Sequence, residues 1–375
     1  MEVVEPGTGG RAGAKGPAGR PGRGEQAGEL VQLATPREKK AFVRAPPDRS
    51  QRWRLGFQLA FLLLNVAIGV QFWLFVRSFE DGGVPGSVSR PPGVEGWLPI
   101  AALMNLKATL LTGELPRRFP AGMFLLVTFL AITFLFRKAF CGWLCPIGTV
   151  SEWLWKLGRR IFGRTFALPR GLDVPLRGVK YLLLGLFLWA VGTMPVEGIQ
   201  AFLRSPYGLV ADVKMLNFFR HMDATAGAVI GFLILASVLV QNFWCRYACP
   251  YGALHGLVSW LSPVRIRRDP HACIDCAKCA KACPSRLPVD TALSIASPEC
   301  TGCLECVASC PAKGALAMSV GPRRALPGRA MAAGIALLFL GIVGVARLTG
   351  HWHTEVDPRT YEAVIRQASE LEHPR

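Results

Sequence analysis

All twelve cysteines of this 375-residue chain fall into short, regular motifs, and those motifs are where chemistry can happen. Eight lie in one stretch, Cys273, Cys276, Cys279 and Cys283 followed by Pro284, then Cys300, Cys303, Cys306 and Cys310 followed by Pro311. C-x2-C-x2-C-x3-C-P written twice is a ligand pattern for two [4Fe–4S] clusters. Three closely spaced thiolates on one loop can hold three irons of a cubane, while the fourth cysteine, carried on by a helical turn and stopped by Pro, is placed for the other cluster. This crossing assigns Cys273, Cys276, Cys279 and Cys310 to one cluster and Cys300, Cys303, Cys306 and Cys283 to the second. A pair of zinc sites is the competing chemistry, since four thiolates also suit zinc, but zinc favours paired C-x2-C knuckles over two complete four-cysteine runs. No cysteine is left for a structural disulfide, so the thiols are expected in a reducing compartment.

The other four cysteines form an internal repeat. Phe140-Cys141-Gly-Trp-Leu-Cys145-Pro146-Ile-Gly148 matches Trp244-Cys245-Arg-Tyr-Ala-Cys249-Pro250-Tyr-Gly252 without a gap. If each Cys-x3-Cys sits on a helix, its two side chains share a face, and side-by-side packing of the repeats brings Cys141, Cys145, Cys245 and Cys249 together. They are redox dithiols, ligands for a further metal or iron–sulfur centre, or inert buried cysteines; repetition of the whole motif argues against the last, and because the other two both need thiolates close together, the spacing does not choose between them. Lys138 or Arg246 beside a helix-end cysteine is expected to lower its pKa.

These motifs must be positioned by membrane helices. A chain that is 51% hydrophobic, with mean hydropathy +0.32 despite 43 Lys and Arg, is an integral membrane protein. Five apolar segments are predicted to span, near residues 55–76, 121–136, 181–196, 224–244 and 331–346. The first and fourth approach the ~20 residues a bilayer needs. The others are shorter and are expected to complete their spans with snorkelling flanks such as Arg137, Lys138 and Lys180. Each Cys-x3-Cys-Pro motif follows an apolar segment and precedes an amphipathic one, 149–157 or 253–261. The bundle is thus expected to be two parallel helix hairpins related by an axis near the membrane normal.

Orientation follows from charge. The N-terminal arm, residues 137–180 and residues 246–329 together carry thirty-one of the 43 basic residues. That asymmetry predicts a bacterial inner membrane protein with its N-terminus and all cysteines cytoplasmic and its C-terminus external. Arg52 and Arg54 are expected to hold the first span at a negatively charged leaflet. The same bias explains much of the net charge of +18, so a nucleic-acid partner is not required. The domain plan is a disordered basic arm (1–50), a four-helix membrane domain (51–262), a cluster domain (263–325), a fifth span (326–349) and an external tail (350–375). Within that tail His351-Trp352-His353 is expected to be an interfacial Trp anchor with solvated histidines. Residues 97–111 should form a re-entrant or interfacial helix.

Absences narrow the chemistry. No His lies in an apolar span, so bis-histidine haem ligation is missing. No Asp or Glu lies in a span core, which disfavours a proton-relay transporter, and there is no dinucleotide or Walker motif. Two Cys-x3-Cys-Pro motifs followed by a tandem four-cysteine ferredoxin domain resemble the NapH, NosR and MauN group of membrane-bound ferredoxin-type proteins. The resemblance covers roughly residues 55–320. It implies an α-helical polytopic fold with an inserted α+β ferredoxin-like domain, and passage of electrons between the quinol pool or cytoplasmic donors and a respiratory or redox enzyme. That makes the chain an electron-transfer component rather than a stand-alone enzyme. The competing function is a reductase-type assembly factor for a metalloenzyme, with the four Cys-x3-Cys-Pro thiols as its working site.

Overall fold

The computed structural model describes residues 3–4, 41–80, 88–321, 324–356, 358–368 and 371; most of the basic arm therefore lies outside the described residues. The chain is mostly helical. Helix α1 (Ser50–Glu80) is followed by α2 (Pro99–Thr112), α3 (Pro120–Phe136), α4 (Pro146–Phe162), α5 (Arg170–Thr193), α6 (Val196–Arg204), α7 (Pro206–Leu209), α8 (Ala211–Arg220), α9 (Ala224–Leu239) and α10 (Pro250–Trp260). The cluster stretch contributes α11 (Lys278–Ala282) and α12 (Glu305–Ala308), and the chain closes with α13 (Gly328–Leu348) and α14 (Pro358–Arg366).

Each of the five predicted spans is an apolar helix, but among the described residues three single helices, α1, α5 and α13, are long and apolar enough to cross a membrane. Helix α3 has 17 residues, and α9 qualifies only jointly with α8, across an 84° bend. The expectation of a nearly full-length fourth span is corrected by its C-terminal end. Val240 turns extended after Leu239 and bridges in parallel to Phe166, and Asn242 takes a positive φ of 52°, so the helix cannot continue. The helix expected over residues 97–111 is α2, Pro99–Thr112, packed on α3 and α6.

The repeat is visible as reciprocal packing. Helix α4, which follows the first motif, packs on α9, which leads into the second; α10, which follows the second, packs on α3, which leads into the first. Likewise α1 rests on the first motif's turn and α5 on the second's. The α4–α9 crossing is backbone-close, because a Cβ on Gly158 would collide with the Val238 carbonyl oxygen, so only glycine fits there.

The cluster stretch folds around a four-stranded antiparallel sheet. Its strand order is Ser294–Ile295, Val264–Arg268, Leu316–Val320, Arg324–Ala325. Alternation along the first three of these strands buries Val264, Ile266, Ile295, Leu316 and Met318. These side chains join Ile132, Phe140, Trp143, Leu144, Met331 and Ile335 in one hydrophobic core, so the cluster stretch shares its interior with α3 and α13 rather than hanging from them.

Two boundary expectations change. The end of the basic arm is not free: Phe42–Val43 runs as a strand, the Ala45 N–H donates to the Pro311 carbonyl at 2.8 Å, and the Lys313 N–H donates to that of Val43 at 2.9 Å. In the tail, Trp352 is no interfacial anchor. It is buried with Ala121, Leu125 and Ala346, under the Arg347 guanidinium, and the Nδ1 of its neighbour His351 is buried without a partner.

Candidate functional site: the cysteine loops and their junction

The local geometry of the two Cys-x3-Cys-Pro copies is the same. Each forms a π turn, Phe140–Leu144 and Trp244–Ala248, closed by the second cysteine's N–H donating to a carbonyl five residues back, at 2.9 and 3.0 Å. Cys145 and Cys249 then cap α4 and α10, with proline at the first helical position. Their Sγ atoms accept the N–H of Gly148 at 3.4 Å and of Gly252 at 3.2 Å. The expected regular i, i+4 helical pair is therefore corrected to a π-turn cysteine followed by a capping cysteine. Glycine at the eighth position matters in the first copy, where a Cβ on Gly148 would collide with the Cys141 carbonyl oxygen.

The four thiols do converge. Cys141, Cys145, Cys245 and Cys249 line one cavity of about 510 Å³. It runs past Phe61, Leu64, Leu125, Phe129 and Phe339 to Trp97, Trp352 and His353. Cys245 feels all three of the others, Cys249 most strongly. The lowered thiol pKa expected from Lys138 is not found. Burial pushes Cys141 up to about 12 against the pull of Lys138. It takes Cys145 up to about 11 against the Gly148 N–H, and raises Cys249 as well.

Four of the eight remaining cysteines share one pocket. Cys283, Cys300, Cys303 and Cys306 line one small pocket walled by Ile266, Leu287, Val289 and Ile295. Cys310 lies near Cys276 and Cys273, and Cys279 near both Cys310 and Cys306. The two runs fold alike, with positive φ at Asp275 and Ala277 around Cys276, and at Gly302 and Leu304 around Cys303. After Arg286, which also takes a positive φ of 52°, the Leu287 N–H points at sulfur, its N 3.5 Å from Cys283 Sγ, and such bonds tune cluster potentials. An iron–sulfur cluster fits this donor set. Arg137 supports the fit, because it is fully buried beside Cys300 with its Nε lacking a partner. Among the described residues no three or more His, Cys, Asp or Glu are drawn together to single-ion distance.

A buried polar junction joins the two sets of loops. The Arg54 guanidinium makes two bonds to Glu152, at 2.6 and 2.8 Å, and one to Glu305 at 2.7 Å, between Cys303 and Cys306. The Gln58 amide donates to the Gly142 carbonyl at 3.1 Å, and the Trp143 indole to the Gly302 carbonyl at 3.1 Å. A Cβ on Gly142 would stand 2.9 Å from the Thr301 oxygen, so a glycine lets the loops touch. On the opposite flank Lys180 pairs with Glu299 at 2.6 Å, and Arg137 donates to the carbonyls of Ser259 and Ser297. Snorkelling Arg137, Lys138 and Lys180, and a leaflet-bound Arg54, are thus corrected: all four are buried at this junction. Sequence reasoning missed Glu152, Glu299, Glu305, Gln58 and Trp143 as its partners; the one available signal was the few acidic residues within otherwise basic loops.

Comparison with known proteins bears on the same residues. The 4Fe-4S binding domain family matches residues 119–165 and 223–269, and the 4Fe-4S dicluster domain matches residues 265–311. The chain is 47% identical over 328 residues to the "Putative electron transport protein YccM" of Escherichia coli (strain K12), covering 86% of this chain and 92% of that one. It belongs to the NapH/NosR-like family of membrane-bound ferredoxin-type proteins. The ferredoxin-type protein NapH of Haemophilus influenzae is 29% identical over 198 residues, 48% of this chain and 61% of that one. The regulatory protein NosR of Pseudomonas aeruginosa is 31% identical over 170 residues, but the match spans 22% of its length. No solved structure matches. Membership in the ferredoxin-type family makes this an iron–sulfur protein of the membrane, with a role in electron transfer.

Proposed function

We propose that the protein relays single electrons between the quinol pool or a cytoplasmic donor and a respiratory or redox partner enzyme. In this reading Cys273, Cys276, Cys279 and Cys310 hold one [4Fe–4S] cluster, and Cys300, Cys303, Cys306 and Cys283 hold the second. The clusters supply reversible one-electron storage. The chain's own residues do the rest. Ile266, Leu287, Val289 and Ile295 keep water from the second site, while Arg137 balances the charge of its thiolates.

The observation that carries the reading is the position of Cys303. It lines both the small pocket of the second cluster and the large cavity where the four Cys-x3-Cys-Pro thiols meet. That residue is a common wall between the ferredoxin-like loops and the membrane interior. The apolar course of the cavity between α1, α3 and α13 suits a hydrophobic electron donor such as quinol, and the basic excess on the cluster side supports a cytoplasmic placement.

The test is quinol oxidation by full-length protein in membrane vesicles, followed through reduction of the cluster signals by electron paramagnetic resonance. Reduction by a quinol analogue that is lost in Cys303→Ser is expected. Cluster signals that respond to no quinol and no cytoplasmic reductant, in a protein whose variants block maturation of a metalloenzyme, would replace the relay with the assembly-factor reading.

A further inference from the structure

The four Cys-x3-Cys-Pro thiols have a geometry of their own that two ferredoxin clusters do not use. Each repeat offers one π-turn cysteine and one helix-capping cysteine, and neither repeat alone completes a four-ligand set. The reciprocal packing of α4 on α9 and α10 on α3 brings the two half-sets to one end of the cavity. The N-termini of α4 and α10 both open there, and their first free N–H groups are already aimed at sulfur.

Charge supplies an independent observation. Lys138 is 3% exposed and Lys180 fully buried. The carboxylate beside them, Glu299, is engaged by Lys180 at 2.6 Å. Two ammonium groups against one carboxylate leave a buried positive charge in excess, and burying an uncompensated charge is costly. The ammonium that carries the excess belongs to Lys138. It lines the cavity, and its strongest attractive partner is Cys141, ahead of Glu299 and Cys249. Tyr251, whose charged neighbours are Cys145, Cys141 and Cys249, closes the same end. A buried cation facing four convergent thiols specifies an anion at their centre.

We propose that Cys141, Cys145, Cys245 and Cys249 jointly hold a third iron–sulfur cluster, shared between the two repeats, with Lys138 as its charge-balancing positioning residue. The proposal rests on the relay reading above. A four-thiolate cluster carries the negative charge that Lys138 lacks, and shares the wall of one cavity with Cys303. When it takes one electron from the Cys303-side cluster, that cluster is oxidised by one electron as this one is reduced. No bond breaks and no proton moves, and the ammonium of Lys138 stabilises the added charge.

Iron and acid-labile sulfide are counted on the full-length protein purified anaerobically, with Mössbauer spectra and redox-titrated electron paramagnetic resonance. The parent is expected to hold about twelve irons, and Cys141→Ser/Cys245→Ser about eight with both ferredoxin-type signals intact. Lys138→Met should keep about twelve irons, but at a fixed potential its third signal should be at least about tenfold less reduced. That is a midpoint lower by about 59 mV for one electron. A parent holding about eight irons, or a single zinc bound by these thiols, overturns the third cluster without recourse to any variant. An unmoved midpoint in Lys138→Met overturns the role of Lys138. Absence of iron altogether would instead defeat the two-cluster relay, so the two failures are distinct.

Discussion

Replacing Arg54 should loosen the cluster loops from the membrane helices, and the structure sets the size of the effect. The side chain is 3% exposed and holds Glu152 by two bonds and Glu305 by one. Arg54→Ala leaves Glu152 with Lys156 at 2.5 Å as its remaining cationic partner. Removing one member of a buried pair costs about 3–5 kcal/mol. The surviving Lys156 contact and the partial exposure of Glu305 place this case at the lower end. About 3 kcal/mol corresponds to roughly a 150-fold shift in the opening equilibrium of the junction. The assay is bleaching of iron–sulfur absorbance by a chelator in detergent, at concentrations where reclosing outpaces chelation, so that the rate reports the open population. Arg54→Ala should bleach about 100-fold faster, with hydrogen exchange rising in residues 300–310. Arg54→Leu/Glu152→Leu should recover much of the loss, because an apolar pair of similar volume can replace a buried ion pair. Parental bleaching in the single variant, or no recovery in the double, would refute the argument that this pair holds the junction.

The crossed ligand assignment predicts that Cys310→Ser perturbs the paramagnetic signal of the Cys273–Cys279 cluster and spares the one that Cys283→Ser perturbs. Gly158→Val should abolish accumulation of folded protein in membranes, because its side chain would enter the Val238 carbonyl, whereas Gly163→Ala, with nothing within 4 Å of the added Cβ, should cost no more than about 1–2 kcal/mol of left-handed strain. For pH, burial works to raise the Glu152 carboxyl, but Arg54 and then Lys156 hold it below its ordinary 4.5. A depressed carboxyl stabilises fully above its unfolded pKa and loses that contribution as pH falls through the folded value. Hydrogen exchange at the junction should therefore be flat from neutral pH down to about 5 and rise below the ordinary carboxyl range of about 4. Arg54→Ala should begin that rise at higher pH.

Motif spacing made the iron–sulfur character legible because a cubane demands several thiolates at set intervals. The gap-free match of Cys141–Gly148 with Cys245–Gly252 likewise disclosed a repeat before any helix was placed. Hydropathy found the apolar helices but not their lengths. Val240 and Asn242 end α9 through backbone geometry that no average hydrophobicity reports. Basic residues misled most. Beside an apolar run, Arg54 reads as a leaflet anchor and Lys180 as a snorkelling flank, because their partners Glu152, Glu305 and Glu299 lie far along the chain. Pairing between such distant positions leaves no local periodicity. The π turns were hidden for a related reason: Cys-x3-Cys has the spacing of a regular helical face, and the extra residue that widens the turn shows only in its hydrogen bonds.

The Arg54–Glu305 bond spans 251 positions in sequence. At ordinary translation rates of about 5–20 residues per second, Glu305 is synthesised roughly 13–50 s after Arg54. Glu152, 98 positions on, follows after about 5–20 s. The first helix thus enters the bilayer carrying a cation whose permanent partners do not yet exist, and headgroup phosphates and water must serve meanwhile. The loops that take up iron are among the last to emerge, and they can close only against a helix inserted at the start. Loading of the two ferredoxin-type clusters and completion of the bundle are therefore one late event in biosynthesis, and a ribosome stalled before residue 305 would leave a membrane-inserted chain lacking ligands for both of them.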